Sequence, residues 1–424
     1  MRILVCTKNA WNDMNAVGNT ISNFFGSQEN MVFSNLYSRS EMPANRICTD
    51  YYRITETQML KNIFQPEKIG YHFTISEDEM DFSTSSQKNN ERKMINFVKS
   101  HSLKSFYRLS DILWNKCKWN NKKLENYILS FNPDIVFSFA TEPIILKKRI
   151  ELIRNLCNSK IFLFVADDVY SVYLKNNNKK IINDFKWCIE NADYLYGASE
   201  ELCKEYERIF GRKFHFLCKG CNVFDVKNDK SLSPIKLVYA GNLFYGRDKV
   251  LANLINSIKE INEKSSIKFF LEIYTTSPIN EEINKMLNVE DAGAIIGARS
   301  YDEILRIMNK ANISLQIESF EQEQIDKVRL SFSTKICDCI QSGSAVMAIG
   351  PNGISSIEYL KKVDGAIVVT KLEEIKTILA EIAADPHMLY ECALKTNDFA
   401  KINHDIVSVR KKINDDFKKL LKES

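Results

Sequence analysis

The sequence predicts an α/β fold made of two doubly wound domains, and three observations predict it. At 424 residues the chain is too long for one ordinary core and suits two domains of about 200 residues each. Short apolar runs bounded by polar or small residues recur between helical stretches, among them RILVCT (2–7), KIFLFV (160–165) and AVMAIG (345–350), as expected of strands buried in parallel sheets. Each half also opens with a strand, a Gly-containing loop and a helix. Gly18 follows the first run, and Gly241 follows the run beginning at Leu237.

Composition narrows the class. The hydrophobic fraction is 45%, and no apolar run approaches the roughly 18 to 20 residues that a membrane helix needs. MRILVCTK reads as a strand, not as a charged, then apolar, then small-residue leader, so a cytoplasmic location is expected. A net charge of +4 gives the whole molecule no reason to bind nucleic acid. Eleven cysteines, an odd count, fit a reducing compartment better than a disulfide framework. Cys218-Lys-Gly-Cys221 has metal or redox spacing, but no second pair with matching spacing follows, which leaves structural or incidental thiols as the reading. The five histidines are scattered, so a hydrolase triad has no support.

Taken in order, RILVCT is the first strand and NMVFSNLYSR (30–39) the second. The stretch from Ser83 to Glu125 is irregular and mixes Lys88, Arg92, Lys93, Lys99, Lys104, Arg108, Lys116, Lys118, Lys122 and Lys123 with Phe97, Phe106, Tyr107, Trp114 and Trp119. It is either a surface that adsorbs to an anionic membrane, with aromatics at headgroup depth, or a solvated face with core aromatics. PDIVFSFA (133–140) and KIFLFVADD (160–168) are strands ending in Thr141-Glu142 and Asp167-Asp168, at the carboxyl ends where open parallel sheets hold ligands. Asp167 and Asp168 are either catalytic or helix N-caps. YLYGAS leads through Ser199 into a helix, and FHFLCKGCN crosses toward the second half.

Beyond a polar linker, LVYAGNLFYGRDKVLANLINSIKEIN (237–262) gives strand, turn and amphipathic helix, with Arg247 at the helix start. FFLEIYTT is the next strand, and two more flank a helix from about Asp302 to Lys310. The stretch KVRLSFSTKICDCIQSGSAVMAIGP (327–351) combines a polar turn, a short helix and a buried strand. The turn holds Ser331, Ser333, Thr334 and Lys335. Backbone N–H groups at a helix start and the Lys335 ammonium suit a phosphate, and Asp338, about one turn on, suits a ribose diol.

This last stretch resembles the donor-nucleotide site of GT-B glycosyltransferases, most closely the family 4 retaining enzymes that build bacterial polysaccharides. From Asp338, D-C-I-Q-S-G-S-A-V has the spacing of the family's E-A-x-A-x-G-x-P-V. The first Glu of that signature falls on Leu330 and its Phe on Phe332, while SFSTKICD satisfies the small-polar-x-K-x-x-[DE] version of capsule and lipopolysaccharide relatives. Glu318-Ser-Phe looks like a remnant of the family's E-x-F, too far upstream of Asp338 to be the first signature Glu without an insertion. Gly241 to Arg247 is similar to the family's G-x-L-x-x-x-[KR]-G, with Asn242 where many relatives carry Arg.

The resemblance implies two Rossmann-like domains facing a central cleft: an acceptor-side domain over 1–225 with a carboxy-terminal helix at about 405–424, and a nucleotide-sugar domain over 234–400. It implies a hexosyltransferase-type enzyme that transfers a sugar from a nucleotide-sugar to a glycan or lipid-linked glycan, with retention, in surface polysaccharide synthesis. The chain would then be cytoplasmic or peripheral on the inner face of the plasma membrane. Arg247, Lys335 and Asp167 or Asp168 become the catalytic candidates. Gly18, Gly241, Asn242, Gly297, Ala298, Arg299, Ser331, Ser333, Thr334 and Asp338 become the nucleotide-binding candidates. No metal or other cofactor is expected, since no DxD-type pair is placed to chelate a diphosphate. A nucleotide-sugar epimerase and a non-catalytic partner on the same fold are the alternatives.

Overall fold

RILVC is apolar enough to be buried on both sides, and as β1 (Arg2–Cys6) it takes the middle of the first sheet. The computed structural model of the chain describes residues 1–26, 30–76, 79 and 103–422, and divides into two units. The first unit holds Met1–Ala198, Cys203–Leu217 and Arg410–Ser424. Its further strands are β2 (Val32–Tyr37), β3 (Asp50–Arg53), β4 (Tyr71–Thr74), β5 (Ile135–Phe139), β6 (Lys160–Val165), β7 (Tyr194–Gly197) and β8 (His215–Phe216). Among the described residues they run β4-β3-β2-β1-β5-β6-β7-β8, parallel except for β3 with β4. Ile3 stands opposite Phe33 on one side and Ile135 on the other.

Aromatic packing ties helices to this sheet. The helix Ala16–Phe25 buries Ile21, Phe24 and Phe25, and Phe24 meets Phe164 edge-on at 5.4 Å between ring centroids. The carboxy-terminal helix Ile406–Lys422 brings Phe417 to 4.5 Å from Phe162, while Arg410 Nε donates to the Asn23 carbonyl (2.9 Å) and Tyr196 Oη donates to Asp416 (2.8 Å).

The second unit holds Ser199–Leu202 and Cys218–Val409. Its strands are β9 (Ile235–Ala240), β10 (Phe269–Tyr274), β11 (Gly293–Ile295), β12 (Ile313–Ile317), β13 (Ala345–Ile349) and β14 (Ile367–Val369). They are all parallel, in the order β11-β10-β9-β12-β13-β14, with Leu237 between Leu271 and Ile313. The division after Leu217 precedes the expected boundary at 225, because the crossing segment spends its hydrogen bonds on the second unit. Cys221 N–H donates to the His404 carbonyl (2.6 Å) and Phe224 N–H to that of Gln341 (2.8 Å).

Part of the basic stretch, residues 80–102, lies outside the described residues. In the rest, Trp114 is 0% and Trp119 2% exposed, so for these two rings the alternative with core aromatics holds: their indole N–H groups donate to Glu56 (3.2 Å) and to the Trp114 carbonyl (3.1 Å) inside the core. Lys116, Lys118, Lys122 and Lys123 are exposed. No helix among the described residues is long and apolar enough to cross a membrane.

Candidate functional site

In the second sheet the chain leaves β9 for β10 on one side and later returns to β12 on the other. The loops after the carboxyl ends of β9 and β12 therefore diverge and leave the crevice where doubly wound sheets bind ligands. Gly241 follows β9 there. A Cβ at this position would stand 2.4 Å from Lys335 Nζ, so the missing side chain is what admits the ammonium. Lys335 Nζ lies 3.4 Å from Tyr239 Oη and 5.3 Å from the centre of that ring, and Tyr239 in turn donates to the Asn242 carbonyl (2.6 Å). Among the described residues no carboxylate is within ion-pair distance of Lys335. Burial pushes its pKa down to about 8, with Arg247 acting in the same direction and Glu318 against it. An anion in this crevice would meet a half-buried cation that has no carboxylate partner among the described residues.

Arg247 differs. It is 6% exposed, and its Nη2 pairs with Glu318 (2.9 Å), Nη1 donates to Asn242 Oδ1 (2.8 Å) and Nε to the Ile317 carbonyl (3.1 Å). Each of the three guanidinium nitrogens therefore has a protein acceptor, which fixes the side chain in place. Glu318, set aside in the sequence as too far upstream, is its partner across 71 residues. The other Glu318 oxygen accepts from Gln316 (2.8 Å), and Gln316 accepts from Ser333 (3.2 Å), so the network reaches the turn before Lys335.

The helix after that turn, Lys335–Gln341, has only seven residues, and Gly343 ends it at φ +70°. Its start is less open than the sequence suggested. Within its first turn Ile336 N–H goes to the Ser333 carbonyl (3.0 Å), the preceding turn is held by Ser331 N–H to the Val328 carbonyl (2.9 Å) and Ser333 N–H to Ser356 Oγ (3.1 Å), and Thr334 is exposed and makes no side-chain cap. The anion case rests on Lys335 more than on the helix terminus. Asp338 Oδ1 accepts from Tyr301 Oη (2.7 Å) and Gln341 (3.3 Å). Gly297, Ala298 and Arg299 follow the edge strand β11 rather than β9 or β12, and Arg299 donates to the Ala298 carbonyl (2.8 Å).

In the first unit, Asp168 caps the helix Val169–Lys175, accepting from Ser171 N–H (3.2 Å) and Tyr206 Oη (3.1 Å). Asp167 is exposed beside it. A Cβ on Gly18 would stand 2.1 Å from the Asn12 carbonyl oxygen, so local chain packing already requires glycine there.

The first sheet has its own reversal between β1 and β5, and a cavity of about 310 Å³ opens at their carboxyl ends. Thr7, Lys8, Ser138, Thr141, Glu142 and Arg149 are among its lining residues. Lys8 pairs with Glu142. Arg149 is 4% exposed and donates from Nη1 to the Thr7 carbonyl (3.0 Å), while its buried Nε has no partner among the described residues. Thr141 and Glu142 were visible in the sequence as a strand end. Lys8 and Arg149 were not, because only strand order brings positions 134 and 142 residues away to the same place.

Among the described residues one group has metal-binding side chains together: Cys221, Cys337 and His404. The spacing reading of Cys218 and Cys221 missed it, since the partners lie far along the chain.

Neither a protein-family model nor a curated protein matches the chain. Solved structures do. Sucrose-phosphate synthase from Thermosynechococcus elongatus is similar at TM-score 0.63 and 11% identity, covering 100% of both chains. HepE from Anabaena, in complex with UDP and glucose, is similar at TM-score 0.62 and 10% identity over 99% of this chain and 100% of its own. A trehalose-6-phosphate structure from E. coli, bound with UDP-2-fluoro glucose, is similar at 0.60 and 10% over 99% of each. At these identities the likeness concerns the fold. The chain has the GT-B glycosyltransferase fold, with two Rossmann-like parallel sheets.

Proposed function

We propose that the chain is a retaining glycosyltransferase that moves a sugar from a nucleotide-sugar to a hydroxyl of a glycan or lipid-linked glycan. One observation carries the reading: Lys335 is a half-buried cation with no carboxylate partner among the described residues, seated against Gly241 where the second sheet reverses its strand order. Such a cation offsets the charge that grows on a leaving diphosphate, and its low-dielectric setting strengthens the effect. Asp338, oriented by Tyr301, is assigned to the ribose. Arg247 and Glu318 hold the loop ends that carry this geometry.

The acceptor is assigned to the first unit's cavity, whose size is at the low end of the roughly 300–1,000 Å³ of small-molecule pockets and suits a sugar ring. Since HepE is solved with UDP and glucose, UDP-sugars head the donor panel. Thermal shift against UDP-, GDP- and other nucleotide-sugars should raise the midpoint with one of them. With that donor, Lys335→Ala should lower turnover by about 10²-fold and weaken nucleotide affinity less. If no donor shifts the midpoint, or Lys335→Ala turns over at the normal rate, the reading fails.

A further inference from the structure

The four residues Cys218, Cys221, Cys337 and His404 come from three separate stretches of the second unit and meet in its interior, where they are 9%, 2%, 2% and 0% exposed. The ligand atoms of Cys221, Cys337 and His404 all lie within 4.8 Å of one another. Cys218 Sγ lies 3.4 Å from His404 Nδ1, and Cys337 Sγ lies 4.0 Å from the same nitrogen. A tetrahedral zinc ion with Zn–S near 2.3 Å and Zn–N near 2.0 Å separates its ligand atoms by about 3.5 to 3.8 Å, close to the two sulfur–nitrogen distances here, and Cys218, outside the three-residue group, would complete the set by a side-chain adjustment.

The surroundings fit as well. His404 turns Nδ1 toward the sulfurs and Nε2 toward the Tyr359 hydroxyl, so the second nitrogen has the hydrogen-bond partner that fixes a ligating imidazole's tautomer. Tyr359 is itself held edge-on by Phe332 at 5.0 Å. The backbone joins the segments too: Cys221 N–H donates to the His404 carbonyl (2.6 Å), and Ile406 N–H donates to that of Cys221 (3.2 Å). Gly220, between the two first cysteines, packs so tightly that a Cβ would stand 2.5 Å from Ile406 Cα. As plain thiols, Cys337 and Cys221 lean on the Lys219 and Cys337 carbonyls at 3.4 and 3.5 Å.

We propose that Cys218, Cys221, Cys337 and His404 bind one zinc ion as a closed structural Cys₃His site. The site bears on the crevice because Cys337 shares the helix Lys335–Gln341 with Lys335 and Asp338. The Cys218–Cys221 turn also carries Lys219, whose ammonium lies 5.7 Å from the centre of the Tyr301 ring. The ion clamps that short helix to the turn and to His404, an order that seven residues of helix do not hold alone.

The test reads metal directly and does not depend on any sugar-transfer activity. Untagged protein purified without chelator should contain about one zinc per chain by mass spectrometry. Cobalt exchanged into the unmutated protein should give the intense visible bands and sulfur-to-metal charge transfer of a tetrahedral thiolate site. Cys221→Ser and Cys218→Ser should each lower metal content at least about tenfold, and chelation should lower the thermal midpoint of the unmutated chain. Three results overturn the proposal: folded protein with no zinc that takes up no cobalt, metal content unchanged in both variants, or a Cys221–Cys337 disulfide in the native chain.

Discussion

Lys335 and Arg247 sit at the carboxyl ends of the same strands, and their partners give them different work. Arg247 is locked to Glu318, Asn242 and the Ile317 carbonyl, and removing one member of so buried a pair leaves the other charge uncompensated. Arg247→Ala should therefore cost about 3–5 kcal/mol of unfolding free energy in a denaturant titration. A loss below about 1 kcal/mol, the level of an exposed pair, would contradict the clamp. Gly241→Ala probes the neighbouring contact. The new methyl would stand 2.4 Å from the flexible end of Lys335 and 3.1 Å from the buried Tyr239 hydroxyl, so stability should fall by about 1 kcal/mol while the displaced ammonium lowers turnover. Full turnover in a folded Gly241→Ala protein would show that the approach of Lys335 to Gly241 is incidental.

At the scale of elements, helix starts decide between two roles for one aspartate. Asp168 caps Val169–Lys175 through Ser171 N–H, a job that Asn performs nearly as well and Ala does not. Asp168→Asn should keep stability and turnover, and Asp168→Ala should cost about 1 kcal/mol with little kinetic effect. A fall of about 10²-fold in turnover for Asp168→Asn, in protein of normal stability, would instead identify an acid or base. The helix Lys335–Gln341 shows the converse. Its start is partly satisfied by the Ser333 carbonyl, which accepts from Ile336 N–H, so its contribution comes from the side chains it carries.

For the whole molecule the open matter is the surface that an acceptor on a lipid would require. Lys116, Lys118, Lys122 and Lys123 are exposed while Trp114 and Trp119 are in the core, so any adsorption involving these residues is electrostatic without tryptophan insertion. Each lysine near an anionic surface contributes about 1 kcal/mol, screened over about 8 Å at physiological salt. Changing the four to Gln should reduce sedimentation with anionic vesicles, most visibly at low salt, and leave nucleotide affinity unchanged. If the unmutated chain sediments equally with neutral and anionic vesicles, or with neither, the stretch is a solvated face and the acceptor is soluble.

What the sequence determined by itself was periodic or local. Apolar runs such as Ile3–Val5 and Ala345–Ile349 announce buried parallel strands, because a strand covered on both faces has no polar positions to alternate with. The Gly241 turn and the Lys335 helix were legible for the same reason, since a turn or cap is written within a few residues. The short edge strand β4 was not, because it buries little and carries no such run. Tertiary structure alone decided the partnerships. Arg247 with Glu318, Lys8 with Glu142, and Cys221 with Cys337 and His404 join side chains separated by 67 to 183 residues. Strand order and chain crossing set those distances, and no local spacing encodes them, so the open cation of the crevice could be told from the locked one only when both were seen in place.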